Sequence, residues 1–170
     1  LASRLDDEES YDKALELYQK KLEIEKEVFE CDDHPEMAGT YNDIAFVFNN
    51  QDKYEEALEH YQKALAIELK AHGPDHTETG DIYHDMGDVL HDLEKYEEAM
   101  EQYQKALAIR LKANGPDHEV TGTTYHAMGG VLDDQGKYQE AMEHYRKALA
   151  INLKVNGPEH SSTGTTYHNM

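Results

Sequence analysis

Several things are scarce in this chain, and each scarcity excludes something. It holds one cysteine, Cys31, so no disulfide can form within it. A reducing intracellular compartment, the cytoplasm, is the expected setting. No apolar run approaches the roughly 20 residues that span a bilayer, and nothing at the start reads as a signal peptide. Positive charge is short as well. Against 36 aspartates and glutamates stand 16 lysines and arginines, a formal net charge of -20. Such a chain repels nucleic acid and anionic membranes and attracts basic partners. Catalytic constellations are missing too: there is no Ser-His-Asp or Cys-His arrangement at a suggestive spacing, no phosphate-cradling glycine loop and no HExxH. Cys31 sits in an acidic connector, a poor setting for a nucleophile. Neither an enzymatic activity nor a cofactor is expected.

What is present is repetition. The stretch KYEEAMEQYQKALAI from Lys95 recurs from Lys53 as KYEEALEHYQKALAI and from Lys137 as KYQEAMEHYRKALAI, with a looser copy, SYDKALELYQKKLEI, from Ser10. His34, His76, His118 and His160 each follow the last by 42 positions. A fixed period of this length marks a solenoid, in which each unit is one supersecondary piece stacked on its neighbours. The expected organisation is one array, with full repeats over 33–74, 75–116 and 117–158 and partial repeats over 1–32 and 159–170.

Each repeat reads as two helices. The first type is predicted over 35–50, 76–92 and 118–134, the second over 54–71, 96–113 and 138–155. Tyr96, Ala99, Met100, Tyr103, Ala106, Leu107 and Leu111 form the apolar stripe of the middle second helix. Gly73-Pro74, Gly115-Pro116 and Gly157-Pro158 end the second helices, glycine suiting a left-handed cap and proline barring continuation. Asp33 with Glu36, and Asp75 with Glu78, have capping-box spacing. The three-residue turns at 51–53, 93–95 and 135–137 force the paired helices antiparallel. One residue more lies between Ile24 and His34 than between Ile67 and His76, which predicts a looser first connector. All twelve tyrosines fall on three ladders, among them Tyr18, Tyr61, Tyr103 and Tyr145, and serve as packing anchors whose hydroxyls reach the rim.

The pattern Tyr83, Met86-Gly87, Ala99, Tyr103, Ala106, Pro116, repeated as Tyr125, Met128-Gly129, Ala141, Tyr145, Ala148, Pro158, resembles the tetratricopeptide repeat. Its 42-residue period is similar to the variant found in kinesin light chains. Ala45, Gly87 and Gly129 are the small residues that let helices approach closely. The resemblance implies an all-α, right-handed superhelical solenoid of antiparallel helix pairs, acting as a protein-binding scaffold whose first helices line a concave groove. Carried over, that groove presents Asn42, Phe46, Asn49 and Asn50, then Asp81, His84, Asp88, His91 and Asp92, then Thr123, His126, Gly130, Asp133 and Asp134, with Thr165 and His168 beyond.

No lysine or arginine occurs in the first helices; every basic side chain of the repeats lies on a second helix or the turn before it. This departs from tetratricopeptide grooves that clamp carboxylates or acidic peptides with basic residues. The expected partner is therefore a protein or peptide segment bearing Lys or Arg, steered by the groove's field. His84, Asp88 and His91 at i, i+4, i+7 have the spacing of zinc ligands, but the histidine column 84, 126, 168 follows from duplication alone, and no metal is expected. Protonation of these histidines near neutrality would weaken attraction for a basic ligand. Leu1 stands where an initiator methionine would, so a piece of a longer protein is expected. By alignment the chain begins late in a first helix, so Leu15, Leu22, Ile24, Leu149, Ile151 and Tyr167 are expected on bare end faces. The alternative function is accordingly a structural array that self-associates head to tail.

Overall fold

Capping chemistry decides where the helices stop. A computed structural model describes residues 2–170, with side chains from Ser10 onward. Among these residues are eight α-helices and no strand: α1 (Ala2–Phe29), α2 (Pro35–Asn50), α3 (Tyr54–Ala71), α4 (Thr77–Asp92), α5 (Tyr96–Ala113), α6 (Glu119–Asp134), α7 (Tyr138–Val155) and α8 (Ser161–Asn169). Among the described residues no helix is long and apolar enough to cross a membrane. The chain divides into two units, Leu1–Gly73 and Pro74–Met170.

After α2, α4 and α6 the backbone reverses within three residues because one of them turns left-handed. Asp52, Glu94 and Gly136 take φ of 58°, 58° and 73°. Lys53 N–H then reaches Phe48 O at 2.9 Å while Asp52 N–H reaches Asn49 O at 3.0 Å. This Schellman closure recurs at Lys95 and Lys137. Glycine reaches this φ freely, whereas aspartate and glutamate do so at a cost. The second helices end on Gly73, Gly115 and Gly157, at φ of 89°, 87° and 83°, with proline next.

The expected capping boxes are not what start the first helices. The N-cap residue is the histidine itself, His34, His76, His118 or His160, which moves the starts of α4 and α6 to Thr77 and Glu119. The extended backbone there lets Nδ1 of His34, His118 and His160 accept from the N–H two residues on, at 3.4, 3.4 and 3.3 Å. The aspartate before the histidine is occupied elsewhere. Asp33, Asp75 and Asp117 pair with Lys70, Lys112 and Lys154 at the ends of α3, α5 and α7. Buried Thr121 and Thr163 close the glycine-proline connectors by donating to Gly115 O and Gly157 O, at 2.9 and 2.8 Å. The first connector is no looser than the next, since 30–34 and 72–76 are of equal length. The extra residue is absorbed into α1, and Glu30 at φ 52° closes that helix. Helix α1 also runs unbroken past Ser10, so the turn that the repeat alignment places there is absent.

In the first unit α2 packs between α1 and α3, around Leu15, Ile44 and Val47 with Tyr11, Tyr18 and Leu22 against them. In the second, α4 pairs with α5 and α6 with α7, α6 also packs on α5, and α8 lies on α7. Tyr61, Tyr103 and Tyr145 of one tyrosine ladder are buried, as is Tyr41 of another, whereas Tyr138 and Tyr167 are mostly exposed. Close approach of α4 to α5 needs Gly87, because a Cβ there would lie 2.6 Å from the Tyr103 ring; at Gly129 it would lie 2.7 Å from Tyr145. The buried stripe of α5 is Ala99, Tyr103, Ala106, Ile109 and Arg110, not the run through Leu111, which is exposed. At about 100° per residue, Arg110 stays on the side of Ala99, Tyr103 and Ala106, and Leu111 swings away. Of the apolar side chains expected on bare ends, Leu15 and Ile151 are buried and Leu22 and Leu149 half-buried; Ile24 and Tyr167 are exposed.

Candidate functional site

The first helices carry the candidate residues on one side because positions three and four apart share a helix face. On α2, in the first unit, Phe46 is 58% exposed, Asn50 is exposed, and Asn42 and Asn49 are half-buried. Asn50 Nδ2 donates to Phe46 O at 2.8 Å, so that amide finishes the helix end.

In the second unit, α4 presents Asp81, Asp85, Asp88 and Asp92 at i, i+4, i+7 and i+11, and α6 adds exposed Asp133 and Asp134. Asp85 was not among the residues expected from the sequence, though it belongs to the same stripe. The carboxylates are not equivalent. Asp81 Oδ1 accepts from the Arg110 guanidinium at 2.7 Å, and the same arginine donates to Thr124 Oγ1 at 2.7 Å and to Val120 O at 3.1 Å. A cation of a second helix therefore does reach the first-helix face, although the first helices carry none of their own. Four others are held elsewhere: Lys105 and Lys147 lie over the Tyr83 and Tyr125 rings at 5.2 and 5.3 Å, and Lys112 and Lys154 pair with connector aspartates.

Arg110 belongs to a column the sequence did not advertise. Its counterparts Glu25, Glu68 and Asn152 are buried too, each a polar group on the inner side of a second helix. Glu25 accepts from Thr40 Oγ1 at 2.9 Å, and Asn152 donates to Thr166 Oγ1 at 3.2 Å. Burial without these hydrogen bonds would cost more than an apolar replacement. The signal that could have found the column is its partner, a threonine at 40, 124 and 166 on the first helices.

The histidines behave as packing groups. His84 and His126 lie edge-tilted on Tyr103 and Tyr145, with ring centroids 5.2 and 5.3 Å apart. Burial, helped by the Arg110 charge, lowers the pKa of His84 from 6.5 to about 3. Burial also lowers that of His126. The His84 ring gains no charge near neutrality, so the expected loss of attraction on mild acidification does not come from it. His126 is bracketed by Thr166 Oγ1 and Asn169 Nδ2, both at 3.2 Å. Asp88 Oδ1 accepts the Tyr103 hydroxyl at 2.5 Å, and desolvation raises its pKa in spite of that bond. The zinc-like spacing does not draw its members together. His84 Nε2 lies 3.9 Å from Asp88, whereas His91 Nε2 turns to Asp134 on α6, at 2.6 Å.

Helix pairs joined by short left-handed turns, with small residues under a buried tyrosine, define the chain as an all-α helical-repeat scaffold. The tetratricopeptide repeat model matches residues 36–112 and 89–154, and the chain belongs to that family. Among curated proteins none matches it. It is similar in structure to BtubC (BKLC) from P. vanneervenii, with a TM-score of 0.85 at 22% identity over 99% of this chain and 67% of that one. The kinesin-light-chain-like repeats of Podosopora anserina superpose with a TM-score of 0.78 at 22% identity, covering 99% and 80%. The N-terminal domain of stress-induced protein-1 from C. elegans gives 0.60 at 16% identity, covering 79% and 95%.

Proposed function

We propose that the array binds a partner protein through the first helices of its second unit, taking up a Lys- or Arg-bearing segment along α4 and α6. The observation that carries this reading is charge imbalance on one face. Asp85, Asp88, Asp92, Asp133 and Asp134 lie on helices with no lysine or arginine, and the sole second-helix cation described there, Arg110, is spent on Asp81. His84 stays neutral and does not offset the carboxylates. A field of this kind acts over about 8 Å at physiological salt, which favours fast association with basic segments and makes affinity fall with ionic strength. The resemblance to tetratricopeptide grooves supplies the binding mode, an extended chain or helix laid along the first helices.

The test is fluorescence anisotropy with a labelled twelve-residue peptide of alternating lysine and alanine, beside its glutamate counterpart. The lysine peptide should bind, and its affinity should fall by about tenfold or more between 50 and 300 mM salt. Equal binding of the two peptides, or affinity indifferent to salt, would remove the reading.

A further inference from the structure

A cleft of about 420 Å³ opens on the other side of the second unit, between the second helices α5 and α7. Its lining includes Met100 of α5 and Met128 and Leu132 of α6. Met128 and Leu132 are core residues that reach the cleft from within, and Met100 is half-buried. The rim is acidic. Glu97 and Glu101 stand one turn apart on α5, and Glu140 stands on the α7 wall. The one lysine of the lining, Lys137, is occupied: its ammonium donates to Gln135 Oε1 at 2.9 Å, and Gln135 Nε2 donates to Glu97 at 2.9 Å. His144, also in the lining, interacts electrostatically with Glu140. Among the described residues no lysine or arginine pairs with Glu101 or Glu140, so two exposed carboxylates flank the methionine and leucine side chains.

We infer that this cleft is a docking point for a lysine or arginine side chain of a partner protein. The reasoning is complementarity of two kinds at once. A long aliphatic stem needs an apolar surface of adaptable shape, and two thioethers and a leucine provide one. The cationic head must stay near water and opposite charge, and Glu101 and Glu140 offer both at the cleft mouth. A purely apolar side chain would leave the carboxylates unanswered, and an acidic one would be repelled by them. The site lies on the second helices, so it does not depend on the groove reading.

Selective methyl labelling of the six methionines makes the cleft observable by NMR. The probe is the capped pentapeptide Gly-Gly-Arg-Gly-Gly, with the same peptide carrying citrulline, an uncharged isostere, as comparator. The arginine peptide should shift the Met100 and Met128 methyls saturably, and the citrulline peptide should not. Glu101→Gln with Glu140→Gln, both at exposed positions, should weaken the apparent affinity by about tenfold. Asp85→Asn with Asp92→Asn should leave the shifts intact, which separates this site from the α4 stripe. No saturable shift at those two methyls, equal shifts from citrulline, or full affinity in the double glutamine variant would each overturn the inference.

Discussion

Acidification should destabilise this protein through His84, and the size of the effect follows from its burial. Desolvation, with the Arg110 charge added, lowers the imidazole pKa from 6.5 to about 3. Below pH 6.5 the unfolded ring takes up a proton that the folded ring refuses until about pH 3, so stability falls across that window as pH drops. At pH 5 the deficit for this one group is about 2 kcal/mol, from 1.36 kcal/mol per pH unit over roughly one and a half units. The control is His84→Asn, since asparagine occupies the equivalent position 42 of the first full repeat. Urea denaturation of wild type and variant at pH 7.0 and 5.0 makes the comparison, with every other titrating group common to both. Wild type should lose about 2 kcal/mol more than the variant between the two pH values. The same pH dependence in both would show that His84 is protonated in the folded state and refute the reasoning.

Gly87→Ala should destabilise by about 1–3 kcal/mol, because its methyl would lie 2.6 Å from a buried ring; thermal melting should register roughly 3–9 °C. Arg110→Ala should cost about 2–4 kcal/mol, since Thr124 and the half-exposed Asp81 lose their donor and the core loses the arginine stem; denaturant titration reads it. Glu94→Gly should raise stability by about 1 kcal/mol by relieving a φ of 58°, and Gly136→Ala should lower it similarly at φ 73°.

Punctuation made much of the fold legible. The glycine-proline pairs and three-residue turns place the ends of α2 to α7 within a residue, because left-handed and proline-blocked positions leave the backbone few alternatives. Gly87 and Gly129 could be read as close-approach positions from the repeat pattern they share with Tyr103 and Tyr145, about two turns inside the partner helix. The start of each first helix was not legible in the same way. Asp-x-x-Glu and a capping histidine are both compatible with the string GPDH, and which of them acts depends on a lysine 37 residues away that claims the aspartate. Arg110 escaped for a related reason: hydropathy assigns it to solvent, and only the threonine on the next helix makes its burial tolerable. The carboxylate stripe was visible as composition, yet its inequality came from contacts. Asp81 is neutralised by an arginine, Asp88 is partly desolvated under Tyr103, and Asp134 holds His91. Histidines 84 and 126 looked titratable by letter, and packing beside the tyrosine rings half-buries them and lowers their pKa values.

The decisive measurement is binding of the lysine-alanine peptide to two variants of equal net charge. One is Asp85→Asn with Asp92→Asn on α4; the other is Glu55→Gln with Glu56→Gln, in the first turn of α3. If the α4 face is the docking surface, the first pair should weaken affinity by about tenfold and the second by less than about twofold. Equal weakening by both would mean that the peptide senses only the overall charge of the chain, and the docking surface on the first helices would be contradicted.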